Sequence, residues 1–283
     1  MTETLSTVAG RNVLRLERHL NHPPAKVWRA VTEPDHLAHW FPCDVRYPSL
    51  TVGAELTFEF RAGEAPPSSG TITEVDPPRV FAFTWGDAAF RIELSPAGDG
   101  CRLVFSHTFD DRYGAASFAS GWDLCLAALG HELAGQPAAP ERDTGERHEH
   151  YLHAFGLTAG ESTIDAGGDW TVRFERQLVR PAPTVWAALV SSDGEPVVGQ
   201  PPPAGFVGPL WRAGPVTVVT AGSVLEYGWA GGTVRWEFRP GTGHGSRLVL
   251  TQTGTAAFAG QRDAAVAAWS DRLEALAKDL LSS

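Results

Sequence analysis

The chain repeats itself, and that constrains its fold more than any other feature. Residues 14–31 (LRLERHLNHPPAKVWRAV) align with residues 172–189 (VRFERQLVRPAPTVWAAL), keeping Glu17/Glu175, Arg18/Arg176, Leu20/Leu178, Pro23/Pro181, Val27/Val185, Trp28/Trp186 and Ala30/Ala188. The order then persists: 80–85 (VFAFTW) answers 224–229 (VLEYGW), 102–104 answers 247–249, and Trp122, Leu126 and Leu129 answer Trp269, Leu273 and Leu276. A unit that recurs in order, with one shortening in the second copy, implies two domains of one plan in tandem. The stretch 158–169 (TAGESTIDAGGD), rich in Gly, Ser and Thr and without hydrophobic period, reads as a linker, so the domains are expected at 1–157 and 170–283.

Within each unit the period changes from two to about 3.6 and back. Residues 13–20 alternate as a strand, Pro23 and Pro24 punctuate, and Val27, Trp28, Ala30 and Val31 have helical spacing. Residues 56–60, 80–85, 90–94 and 103–109 alternate between Gly, Pro and Asp turn clusters, which predicts consecutive antiparallel strands. Phe118, Trp122, Leu126, Leu129 and Leu133 then mark one stripe of a long helix over 115–133. The second unit predicts strands at 172–178, 216–219, 224–229, 234–238 and 248–252 and a helix at 256–281. A meander of strands must cover its apolar face, and the terminal helix is the long amphipathic element available to do so. The expected class is α+β, one curved antiparallel sheet and one long helix per unit.

Composition excludes several functions. With 23 Lys and Arg against 33 Asp and Glu the net charge is −10, the wrong sign for neutralising phosphates or an anionic membrane surface, so neither a nucleic-acid partner nor membrane insertion is expected. The acidity is concentrated up to residue 157, with 13 basic and 21 acidic residues against 10 and 12 beyond it. No apolar run is long enough to span a bilayer and residues 1–20 lack a secretory core. Cys43, Cys101 and Cys125 are odd in number and form no CxxC pair, which disfavours a disulfide framework or zinc knuckle and suits a reducing cytoplasm.

The run Pro23-Pro24-Ala25-Lys26-Val27-Trp28-Arg29-Ala30-Val31-Thr32-Glu33-Pro34-Asp35-His36-Leu37-Ala38-His39-Trp40-Phe41-Pro42, with Glu74-Val75, Pro78 and Gly121-Trp122, resembles the SRPBCC, or START-like, proteins related to the activator of the heat-shock chaperone ATPase. The resemblance spans roughly 14–133. It implies a helix-grip fold, in which the sheet wraps the long helix around a cavity. The second unit keeps the Pro181–Trp186 start and the helix tryptophan, while its 193–215 stretch has no counterpart of Trp40-Phe41-Pro42, so it is identified as a degenerate copy. This superfamily hosts carriers, receptors, cyclases and co-chaperones, so chemistry must be sought in the residues.

Alternation directs Leu56, Phe58 and Phe60, then Phe81, Phe83 and Trp85, then Phe90, Ile92 and Leu94, then Leu103, Phe105 and His107 toward the helix. One imidazole thus closes an otherwise apolar list, and Gln252 holds the matching place beside Leu248 and Leu250. The expected ligand-binding set is Trp40, Phe41, Phe58, Phe60, Phe83, Trp85, Phe105, His107, Phe118 and Trp122, walls suited to a hydrophobic or aromatic small molecule, with Trp40 and Phe41 as a lid or a plug. The alternative for His107 is a wet strand end. Residues 148–153 (HEHYLH) offer three imidazoles, but His148 and His150 diverge on a helix, so packing of an extra terminal helix through Tyr151 and Phe155 is preferred to a metal. No GxSxG elbow, P-loop, dinucleotide fingerprint or HExxH helix occurs, so no catalytic residue and no cofactor are assigned. The leading expectation is a non-catalytic binding protein; the alternatives are a protein-interaction module of co-chaperone type, or a cyclase-like or hydrolytic enzyme using His107 as acid and base.

Overall fold

The computed structural model describes residues 2–61, 65–137, 144–191, 193–208, 210–243 and 245–282, in two compact units, Met1–Thr144 and Gly145–Ser283. In the first unit β2 (Arg11–Leu20) leads through Pro23 into α1 (Pro24–Thr32) and α2 (Pro34–Leu37). Proline at the first helical position is tolerated because the missing N–H would have no intrahelical partner there. The meander follows: β3 (Asp44–Arg46), β4 (Glu55–Glu59), β5 (Ser68–Asp76), β6 (Val80–Trp85), β7 (Ala88–Ala97) and β8 (Gly100–Phe109). With β1 (Thr2–Val8) these make one eight-stranded antiparallel sheet in the order β1-β2-β8-β7-β6-β5-β4-β3. The sheet's apolar side is covered by α3 (Ala115–Ala134), which buries Ala119, Trp122, Leu126, Leu129 and Leu133 at spacings of three and four.

Strands β1, β3 and β5 have no counterpart among the expected ones, for a shared reason. Their side chains are polar or alternate weakly, so backbone pairing rather than burial holds them. β1 exists because Ala9 (φ 49°) and Gly10 (φ 82°) take positive φ and fold Val8 back onto Arg11, the two-residue turn whose twist matches a hairpin.

The second unit repeats the plan with β10 (Trp170–Leu178), α5 (Ala182–Val190), β11 (Val216–Thr220), β12 (Val224–Trp229), β13 (Gly232–Pro240), β14 (Ser246–Gly254) and α6 (Arg262–Ser282). With β9 (Glu161–Ile164) its sheet runs β11-β12-β13-β14-β10-β9. The expected helix start at 256 is a 3-10 turn over Ala256–Gln261, and the α-helix begins after it.

The domain boundary differs from the expectation. Residues 161–164 are a strand, β9 (Glu161–Ile164), paired with β10 from Glu161↔Arg173 to Ile164↔Trp170. The connecting loop is closed by Asp165, whose carboxylate accepts from Gly167 N (2.8 Å) and Asp169 N (3.0 Å). All four β9 side chains are exposed, so its hydrogen bonds leave no hydrophobic trace and it reads as linker. The preceding helix α4 (Thr144–Ala154), all but its first residue, also lies within the second unit. There Arg176, buried on β10, pairs with Glu149 of α4 and with Glu274 of α6. The six-residue histidine cluster is split by that packing. His148 and Tyr151 are buried, whereas His150 and His153 are exposed.

Candidate functional site

The site of interest is the space between β6–β8 and α3 of the first unit, and register sets its floor. Phe83, Phe90 and His107 stand opposite one another across β6, β7 and β8, as do Phe81, Ile92 and Phe105 in the next row. Both rows face α3, so the sheet presents a continuous aromatic surface to Trp122. One end of this interior is filled. Phe41 packs on Phe58, Phe83, Trp85 and Trp122 with ring centroids 5.4 to 6.3 Å apart, and the void around Val31, Leu37, Phe41 and Phe83 measures only about 10 Å³. That is barely room for one water.

At the other end the surfaces part. A cavity of about 390 Å³ is lined by Phe60, Trp85, Phe90, His107, Phe109, Phe118 and Trp122, with Pro42, Ala88, Ser117, Gly121 and Cys125 around them. Its openness has a simple cause. Ser117, Gly121 and Cys125 recur every four residues along α3, so one helix stripe carries side chains too small to fill the space. A Cβ added at Gly121 would meet no other atom within 4 Å. Among the described residues no carboxylate, ammonium or guanidinium group lines the cavity.

Its principal polar group is His107, which is 3% exposed. Phe90 stacks on the imidazole at 4.3 Å, and Phe109 and Phe118 approach at 4.8 and 4.7 Å. Trp122 donates from Nε1 to Nδ1 of His107 over 3.3 Å. An indole N–H can only donate, so Nδ1 is the unprotonated nitrogen and Nε2 carries the hydrogen of the neutral ring. Burial, reinforced by the nearby Arg11 guanidinium, pushes the imidazole down to about 3, so it is neutral at pH 7. Cys125 is a thiol rather than a thiolate, since burial pushes it up to about 12.

The ten residues singled out in the sequence separate into two groups. Phe60, Trp85, His107, Phe118 and Trp122 line the cavity. Trp40, Phe41, Phe58, Phe83 and Phe105 belong to the packed core behind it. Trp40 donates from Nε1 to the Ala30 carbonyl over 2.8 Å, which ties it to α1 rather than to a lid. Phe90 and Phe109 were detectable by phase, since they share the inward side of β7 and β8 with His107. Ser117, Gly121 and Cys125 were detectable only as a stripe of small residues, a weak signal because such stripes also mark close helix packing. Pro42 and Ala88 gave none.

The second unit keeps the polar pair in altered form. Trp269 Nε1 donates to Oε1 of Gln252, and both residues are completely buried. Around Trp229, the partner in sequence of Trp85, the rings of Trp170, Trp211 and Phe258 stand at 6.0, 5.3 and 5.3 Å. Aromatic side chains of the chain itself occupy that surrounding space.

Residues 21–134 match the family model described as Activator of Hsp90 ATPase homolog 1-like protein. Over those residues the first unit is similar to that family. The match covers the helix-grip portion from just before α1 to the end of α3, which holds every cavity-lining residue. Solved structures similar to this chain include a conserved protein from Enterococcus faecalis (23% identity, 54% of this chain and 89% of that one, TM-score 0.47) and CalU16 from Micromonospora echinospora (24%, 54% and 94%, TM-score 0.44). The Aha1 dimer from Colwellia psychrerythraea is another (18%, 43% and 95%, TM-score 0.38). Each spans about half of this chain, the length of one unit. No curated protein sequence matches it. Among the described residues no helix is long and apolar enough to cross a membrane.

Proposed function

We propose that the first unit is a non-catalytic binding domain for an uncharged hydrophobic or aromatic small molecule, and that the second unit serves the fold rather than a ligand. The observation that carries this reading is the cavity of about 390 Å³, walled by aromatic rings and bearing one buried neutral imidazole. A concave apolar space with few polar groups is the usual form of a small-molecule site, and its volume lies in the usual range. Neither His107, held neutral and bonded to Trp122, nor Cys125, held as a thiol, has the activation that a nucleophile or a general acid needs at pH 7.

A thermal-shift screen of the whole chain against flat aromatic and fatty molecules tests the proposal. A ligand at a hundred times its dissociation constant stabilises the domain that binds it by about 2.7 kcal/mol. Stabilisation by such ligands, weakened in His107→Leu, is the expected result; a transition that no hydrophobic molecule moves would refute it.

A second reading is favoured by the family match, whose description names an activator of a chaperone ATPase: the first unit as a protein-binding module. Co-purification with a chaperone, undiminished when Gly121→Leu fills the cavity, would favour that reading over the first.

A further inference from the structure

Building on the reading of the cavity as a small-molecule site, we infer that it selects flat, uncharged molecules bearing a hydrogen-bond acceptor such as a carbonyl. The Nε2–H of His107 receives that acceptor, and Trp122 is the positioning residue that keeps the hydrogen on Nε2.

Three observations lead there. The bond from Trp122 Nε1 to His107 Nδ1 consumes the ring's only acceptor, so the remaining nitrogen of a neutral imidazole is a donor. Nε2 has no bond to a described residue, and it is not one of the sealed, unpartnered polar atoms of the interior. The faces and flanks of the ring are meanwhile covered by Phe90, Phe109 and Phe118, so the donor is what His107 offers the cavity. Second, the described lining residues hold no charge to compensate an ionised ligand, and an ion taken from water without a partner binds poorly.

The third observation comes from the other copy. Gln252 occupies the place of His107, and Trp269 donates to its Oε1, which leaves its amide Nε2 as an inward donor, buried and without a partner. Imidazole and carboxamide differ in shape, charge behaviour and aromaticity. They share the ability to accept from a tryptophan with one atom and to donate to the interior with another. The position therefore supplies a donor, and a ligand that fits the first unit's cavity must supply the acceptor.

Calorimetric titration of the full chain with naphthalene, methyl 2-naphthoate and 2-naphthoate decides the matter. One added neutral hydrogen bond predicts that the ester binds about threefold to tenfold tighter than naphthalene, while the carboxylate binds more weakly than either. His107→Gln keeps the ester preference and His107→Leu abolishes it while still binding naphthalene. For Trp122, nitrogen-15 spectra of His107 supply a readout that packing alone does not move: Nδ1 is acceptor-like in the native chain, and Trp122→Phe yields a mixture of tautomers. Equal affinity for naphthalene and the ester in the native chain would overturn the selection rule and leave the cavity reading intact. Failure of all three probes to bind the native chain would overturn both.

Discussion

At the scale of single residues, His107 couples the first unit to pH. Its folded pKa of about 3 lies below the ordinary value of 6.5, so between those limits the unfolded chain holds more protons than the native one. The stabilisation is complete above pH 6.5 and is lost as pH falls toward 3, at up to about 1.4 kcal/mol per pH unit. His107→Leu is expected to flatten this dependence, seen as a smaller drop in Tm between pH 7 and pH 4.5 than the native chain shows. Trp122→Phe removes the donor to Nδ1, and the loss of one neutral buried hydrogen bond is expected to cost about 1 kcal/mol, measured by urea denaturation at pH 7. The alternation along β8 made the inward aim of His107 readable in the sequence. Its protonation was not readable, because it is set first by burial, which only the folded chain creates, and then by Arg11, 96 residues before it, while the tautomer is set by Trp122, 15 residues after it.

At the scale of elements, two glycines make opposite predictions from the same substitution. Gly70 on β5 lies against the chain of β6, and a Cβ there would collide with the Thr84 carbonyl, so Gly70→Ala is expected to destabilise the first unit by about 1–3 kcal/mol. Gly121 sits inside α3 facing open cavity. Gly121→Ala is expected to stabilise by about 0.5–1 kcal/mol, because alanine loses less backbone entropy in a helix and nothing obstructs it. Thermal melts of the two variants check both signs, and the stabilised variant that then binds hydrophobic ligands less well marks the cavity wall. Helix α3 was legible as a stripe from Phe118 to Leu133, since burial along one face imposes a period. Strands β1, β3 and β5 were not, since main-chain hydrogen bonds form irrespective of side-chain polarity.

At the scale of the whole molecule, the division at Thr144 and Gly145 assigns α4 and β9 to the second unit. A piece starting at Gly145 keeps Glu149 on Arg176; one starting at Asp169 leaves that buried guanidinium to Glu274 alone. The shorter piece is expected to be less stable by about 2–5 kcal/mol, read from circular-dichroism melts of the two, because a buried charge that loses a partner keeps its desolvation cost. The repeat in the sequence disclosed two units at once. The boundary escaped it because Arg176 and Glu149 are 27 residues apart and their pairing leaves no periodic mark.

Local order followed from the sequence alone: two copies, an antiparallel meander, a covering helix and the inward phase of each strand are consequences of periodicity, which nearest neighbours along the chain display. The division of the interior was decided in three dimensions. Phe41 and Trp40 could have lidded a void, yet they fill one end of it, while the small residues of α3 leave the other end open. Whether a core closes or stays hollow depends on the sum of volumes brought together from β6, β7, β8, α3 and the segment after α2. That sum exists only once those elements have met.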